Sequence, residues 1–342
     1  MSKILKSFVL VFLSLVVLTL SLTLFLFQKI SLSLDKSPNY ILDILSSIDK
    51  DNQYKDKEVL NFVILGLDKR DDLLEKTSVT DTIMFVSLNL KNQKINTTSI
   101  PRDLWFYDIN SKVNEIYPLS QLEPNQLQFI KNKFQQLTDQ PIDHVVIFTT
   151  ENLIKFVNLI GGVDLFLDNG FIDSQYPNPE YIKNPDSNIP KYKTVEFKSG
   201  LVHLDSSNIT EFVRSRKGGE TVSAGGTDLA RTKRQQLLVE AILNKVKTGQ
   251  FVDKNLNLPK LYNFWDKEII KDILDKDILN ILTLVGENIP KLTLNKIDIP
   301  IGTNSKNGVI YHPNIFINKQ WVFIPSDKDY KSFQQFISDS LK

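Results

Sequence analysis

The apolar pattern begins with one unbroken run, Phe8 to Phe27, 20 residues without charge, glycine or proline. As a helix rising about 1.5 Å per residue it spans ~30 Å, the hydrocarbon thickness of a bilayer. The run is longer than the roughly 7–15 apolar residues of a cleavable signal, and no Ala-x-Ala site follows it, so it predicts a retained transmembrane anchor. The short flank at 1–7 favours a cytoplasmic amino terminus, with the remainder of the chain outside. From 28 to 58 the pattern turns polar, which predicts a juxtamembrane stalk carrying one amphipathic stretch at Tyr40 to Ile48.

Three short apolar runs then follow in close order: Asn61 to Gly66, Thr82 to Leu90 and Ile95 to Ile100, the last stopped by Pro101. Their length and composition predict strands, and the brief turns between them predict an antiparallel meander. That topology brings the end of the first, the start of the second and the end of the third to one rim, so Asp68, Asp81 and Arg102 meet there. Ile142 to Phe148 predicts a buried strand. A helix follows from about Glu151 to Ile160, capped by Thr149 or Thr150 and ended by Gly161 and Gly162. Val163 to Leu167 predicts another strand. Residues 169–193 hold four prolines and little periodicity, which predicts a long loop.

Thr227 or Asp228 caps a helix to about Lys247, and helical patterns recur at Tyr262 to Gly286 and Tyr330 to Leu341, with a strand at Trp321 to Ile324. Strands interleaved with helices predict an α/β domain with a mixed central sheet flanked by helices on both faces. The expected division is an anchor at 8–27, a stalk at 28–58, a catalytic domain at 59–250 and an α/β extension at 251–342.

Charge and composition then narrow the chemistry. A net charge of +1 argues against the basic field of a nucleic-acid binder. The chain has no cysteine, and its three histidines are far apart, so His144, His203 and His312 are expected to be structural. Neither a nucleophile elbow nor a P-loop is present. Arginine is scarce and clustered: six against 35 lysines, four of the six between 214 and 234. Lysine supplies generic charge in this chain, whereas the planar arginine fork holds phosphate or carboxylate bidentately.

Asp228, Arg231 and Gln235 fall within about 60° of one another on a helix, with Arg234 about 60° further round. They lie near a helix amino terminus, which itself favours anions. Arg214 and Arg216 share a side if Phe212 to Arg216 is extended, and diverge if it ends a helix. Four converging arginines with two carboxylates suit a pyrophosphate and a divalent ion held through oxygen. The bland alternatives are a salt-bridged helix for the arginines and strand-end turns for Asp68 and Asp81.

With these residues assembled, the chain resembles the LytR–CpsA–Psr family of bacterial envelope proteins. The resemblance rests on Leu65-Gly66-Leu67-Asp68, Asp81-Thr82, Ser99 to Asp103, Gly161-Gly162-Val163, Gly200 with Leu204-Asp205, Val213 to Arg216, and Asp228-x-x-Arg231-x-x-Arg234-Gln235. It implies a membrane-anchored enzyme that moves a glycopolymer from a polyprenyl-pyrophosphate carrier to peptidoglycan, forming a phosphodiester. It also implies an apolar tunnel for the lipid. Carried onto this chain, Asp68 and Asp81 hold Mg²⁺ (or Mn²⁺), and Arg102, Arg214, Arg216, Arg231, Arg234 and Gln235 bind phosphate. The base comes from Asp68, Asp81 or Asp228, and Arg102 serves the reacting phosphates directly. Many family members have an arginine where this chain has Val79, so one phosphate contact is missing here or Arg70 or Lys76 replaces it. A non-catalytic protein that binds polyprenyl-pyrophosphate lipids is the alternative.

Overall fold

The computed structural model describes residues 28–48, 52–67, 79–185, 188–215, 227–248 and 258–342. The run Phe8 to Phe27 lies outside these, and no helix among the described residues is long and apolar enough to cross a membrane.

The meander forms as the pattern predicts: β1 (Val59–Leu67) pairs antiparallel with β2 (Thr80–Asn89), and β2 with β3 (Lys94–Ser99). A short hairpin, β4 (Trp105–Phe106) with β5 (Ser111–Lys112), follows. β6 (His144–Thr149) lies parallel to β1 on its other side. The second half of the chain supplies both edges of this six-stranded sheet. β11 (Ile270–Lys271) pairs antiparallel with β6, and β12 (Thr293–Ile297) pairs parallel with β3. The architecture is therefore a mixed α/β sheet with helices packed on it.

Strand alternation sorts residues to two faces. On one, Val63, Leu65, Phe85, Val145 and Ile147 join a core with Ile130 and Phe134 of the helix Gln126–Thr138 and Phe333 of the helix Lys331–Ser340. Across the other runs the helix Thr227–Lys247, whose Glu240 ion-pairs with Lys296 on β12. A second core lies beside the sheet. It is built from the helices Thr150–Leu159 and Ile209–Arg214 and two antiparallel strand pairs, β7 (Val163–Leu167) with β10 (Gly200–Leu204) and, between them in the chain, β8 (Phe171–Pro177) with β9 (Tyr192–Phe197).

Three local expectations are corrected, and the alternative left open at Phe212 to Arg214 is decided. Residues 169–193 are not a loop: they hold β8, the helix Pro179–Lys183 and the start of β9. A register irregularity between Asp173 and Tyr176 breaks the alternation, and Pro177 and Pro179 sit at element ends, where proline is tolerated. Phe212 to Arg214 is helical, not extended, because Phe212 and Val213 both turn into the second core. The pattern from Tyr262 to Gly286 is two helices, Leu258–Glu268 and Asp275–Val285, separated by β11. Trp321 to Phe323 forms no strand of its own, Phe323 making an isolated parallel bridge to Leu104, and the strand β15 is Ile324–Pro325, in a small sheet with β13 (Ile301–Gly302) and β14 (Ile310–Tyr311).

Within residues 28–58, the helix Pro38–Ser47 is capped by Ser37 and docks on the carboxy-terminal half. Tyr40 donates to Asp275 (2.7 Å), Lys36 pairs with Asp266 (2.9 Å), and Lys267 with Asp35 (2.6 Å).

Candidate functional site

The rim is assembled at the carboxyl ends of β1, β3 and β6 and the amino end of β2. Asp81 lies one residue inside β2, and Arg102 follows β3 after the Pro101 turn. Arg102 Nη1 donates to Asp81 Oδ1. From the opposite side Arg231, nearly fully buried, points Nη1 at Asp81 Oδ2 and Nη2 at the Asp81 carbonyl, both at 3.4 Å. One carboxylate thus bridges two guanidiniums carried by distant parts of the chain. Asp103, next to Arg102, accepts from Lys112 (2.7 Å) and lies 3.5 Å from Arg102 Nε. Gly66 permits the close approach of β1 and β2 here, since a Cβ at that position would stand 2.9 Å from Thr82 Cβ.

The helix Thr150–Leu159 starts at the same rim because Thr149 caps it: the Thr149 hydroxyl and the Asn152 side chain form a reciprocal capping box. Thr150 accepts from Arg214 Nη2 at 3.2 Å, which fixes Arg214 at the end of its own helix and toward the rim. A recess of about 270 Å³ opens beside it, lined by Leu67, Thr149, Asn152, Lys155 and Glu268 among others.

Arg234 has a different job. Its Nε donates to the Phe212 carbonyl (2.9 Å) and Nη2 to that of Ser215, and its guanidinium lies 4.3 Å from the Phe171 ring centroid. It closes the last turn of the helix Ile209–Arg214, where carbonyls lack partners. Burial first, and then the nearby Arg231 charge, bring its pKa down from 12.5 to about 10, so it remains a cation at neutral pH. Gln235 reaches the Val213 carbonyl at 3.5 Å. Arg231 therefore faces the rim, whereas Arg234 supports the segment that carries Arg214.

Of the other sequence-predicted residues, Asp68, Arg70, Lys76 and Arg216 lie outside the described residues. Asp228 is in the first turn of its helix, with its side chain also outside them. Among the described residues no group of three or more His, Cys, Asp or Glu is placed to hold a metal. Asp81 is an oxygen donor at the rim, the ligand type Mg²⁺ takes, and so fits as one member of the pair expected from sequence. The histidines are structural or peripheral: His144 is buried against the Tyr54 hydroxyl (2.7 Å), His203 pairs with Asp164 (2.7 Å), and His312 bonds the Val322 carbonyl (2.8 Å).

Below the rim, the sheet face opposite the first core carries Phe62, Ile64, Met84, Val86, Val146 and Phe148. These apolar side chains belong to neither core, and all except Met84 are only half-buried. They run from Phe148, beside Gly66 at the rim, to Phe62, whose ring is 5.6 Å from that of His144 at the far end. Sequence reasoning missed this face, because alternation shows that a strand is apolar on both sides but not which side is filled.

The model of the LytR_cpsA_psr family matches residues 29–335. The chain belongs to the LytR–CpsA–Psr family. It is 26% identical over 212 residues to a polyisoprenyl-teichoic acid–peptidoglycan teichoic acid transferase, TagU, of Oceanobacillus iheyensis, covering 59% of this chain and 56% of that protein. It spans between about half and three fifths of the length of the curated relatives it matches. Among solved structures, a protein of Enterococcus faecalis described as a transcriptional regulator superposes with a TM-score of 0.56 at 20% identity, over 83% of this chain and 88% of that one. TagT bound to LIIa-WTA superposes with a TM-score of 0.54 at 17% identity, over 85% and 95%. At such identities the structural likeness shows the shared fold.

Proposed function

We propose that this protein transfers a glycopolymer from a polyprenyl-pyrophosphate carrier to peptidoglycan, outside the cytoplasmic membrane to which residues 8–27 anchor it. The observation that carries this reading is the Asp81 carboxylate bridging Arg102 and Arg231 directly above a half-buried apolar face. That juxtaposition suits an amphiphile with a multiply charged head and a long hydrocarbon tail. Family membership and the transferase relatives point the same way.

In this mechanism Arg102, Arg214 and Arg231 grip the pyrophosphate oxygens, and the acceptor hydroxyl oxygen attacks the phosphorus that bears the glycopolymer. A new P–O bond forms as the bond to the bridging oxygen breaks, and polyprenyl phosphate leaves with the electron pair. A carboxylate from the set Asp68, Asp81 and Asp228 takes the hydroxyl proton. The fixed guanidiniums are most effective where charge grows on the departing phosphate. Asp68 and Asp81 would hold Mg²⁺, which would neutralise part of the pyrophosphate charge. Arg234 and Gln235 act indirectly, by holding the segment that ends in Arg214.

Turnover with a short-chain polyprenyl-pyrophosphate glycan and a peptidoglycan fragment tests this. Magnesium-dependent appearance of a phosphodiester-linked product is expected. Binding of the donor without any transfer would establish the alternative, a non-catalytic lipid-binding protein.

A further inference from the structure

A second feature of the rim plays no part in phosphate binding, and its exposed apolar side chains, Ile315, Phe316 and Trp321, lie outside both cores. Residues 299–324 contain no Asp or Glu, although the chain carries 40 in 342 residues, and they include Lys306 and Lys319. Within this stretch Ile317 and Gln320 exchange backbone hydrogen bonds (3.1 and 2.8 Å) around Asn318 and Lys319, both left-handed with φ of 49° and 62°. Two consecutive positive φ values define the tight turn that closes a two-residue hairpin. Ile315 and Phe316, 69% and 66% exposed, lead into this turn, and Trp321, 41% exposed, leaves it. Trp321 is held in place rather than loose: its ring stacks on His312 at 4.6 Å and meets Phe323 edge-on at 4.7 Å.

The position of this hairpin is set by the backbone. Phe323 donates to the Asp103 carbonyl (2.9 Å) and accepts from Trp105 N–H (2.7 Å), so its strand is bonded to the residue after Arg102. Trp321 is two residues earlier, at most about 7 Å of extended chain away. At the opposite edge of the sheet, the chain that follows residues 8–27 attaches to the same end of the fold. Asp35 and Lys36 pair with Lys267 and Asp266, a few residues before Ile270, which pairs with Ile147 near the rim end of β6. The exposed Ile30 and Leu32 are found there too. Apolar side chains therefore flank the rim at both sheet edges.

We infer that the hairpin at 315–321 inserts into the surface of an anionic bilayer and, with the amino-terminal attachment, seats the arginine rim at headgroup level. This rests on the lipid-linked donor proposed above and adds how that donor reaches the site. Bulky aliphatic and aromatic side chains flanking a tight turn, a tryptophan among them, nearby lysines and no carboxylate are the composition of an interfacial membrane contact. An exposed sugar platform would use Trp321 and Phe316 but has no use for the aliphatic Ile315. With the rim at the headgroups, the pyrophosphate meets the arginines while the tail passes from bilayer to the apolar sheet face.

The test uses the full chain in vesicles of phosphatidylcholine and phosphatidylglycerol, some with brominated acyl chains. Tryptophan emission should be quenched by the brominated lipid, and Trp321→Phe should remove most of the quenchable component. Equal quenching with and without Trp321 overturns the proposal. An unquenched Trp321 whose emission instead shifts on adding an N-acetylglucosamine oligomer overturns it in favour of a saccharide contact. In a second arm, Ile315→Asp with Phe316→Asp should lower transfer from a bilayer-embedded donor about ten-fold and leave transfer from a water-soluble short-chain donor unchanged. Equal loss with both donors overturns the inference. Absence of transfer by the unmodified protein with either donor would refute the transferase reading alone, and the quenching result would still decide the membrane contact.

Discussion

At the scale of single residues, Asp81 and Arg234 separate two uses of charge. Asp81 is largely buried between two guanidiniums, so removing it leaves like charges facing each other with little water. Breaking a buried pair from one side costs about 3–5 kcal/mol, and Asp81→Ala is expected near the lower end in urea denaturation, because the rim is partly open. Arg234→Met should instead lose two charge-assisted bonds to carbonyls, each worth about 1.5–3 kcal/mol, and lower stability before activity is measured. An Arg234→Met protein of unchanged stability with impaired pyrophosphate binding would return Arg234 to the phosphate site. The sequence showed that arginines cluster and that two share a helix. It could not show that Arg234 faces the carbonyl end of another helix, because that contact joins positions 22 residues apart through the second core.

Among the elements, those with clean periodicity or caps are legible in the sequence alone. The three-strand meander, the helix beginning at Thr149 and its stop at Gly161 and Gly162, both with positive φ, all form as expected. The segment 169–193 is not legible, because an irregular hairpin interrupts the period of two on which strand recognition depends. Replacing Thr149 by alanine removes the capping box and should cost about 1 kcal/mol by chemical denaturation. The β6–β11 edge offers a pH test. Burial pushes the Asp272 carboxyl up, but the His144 ring 3.5 Å away, the Lys131 ammonium and the hydrogen bond from the Val145 N–H outweigh it and leave the pKa below 3.8. A carboxylate lowered on folding contributes stability above its unfolded value and loses it as pH falls through the folded one. Asp272→Asn should therefore be less stable at neutral pH and show a flatter decline as pH drops below 3.8. An unchanged acid limb would remove Asp272 from the account.

For the whole molecule, the decisive arrangement joins parts that sequence keeps far apart: a rim carboxylate at 81, guanidiniums at 102, 214 and 231, and an apolar face of β1, β2 and β6 beneath them. The carboxy-terminal residues, which carry no motif, contribute both edge strands of the sheet and the hairpin beside Arg102. The most direct measurement is calorimetric titration of the full chain with a short-chain polyprenyl pyrophosphate in the presence of Mg²⁺, compared with an Arg102→Lys, Arg214→Lys double variant. Lysine retains the charge but loses the planar fork, and each charge-assisted bond is worth about 1.5–3 kcal/mol. At about 1.4 kcal/mol per decade, affinity should fall ten-fold or more. Saturable binding that weakens to this extent in the variant is the predicted result, whereas no binding, or equal binding by both proteins, would contradict the assignment of the rim as a pyrophosphate site.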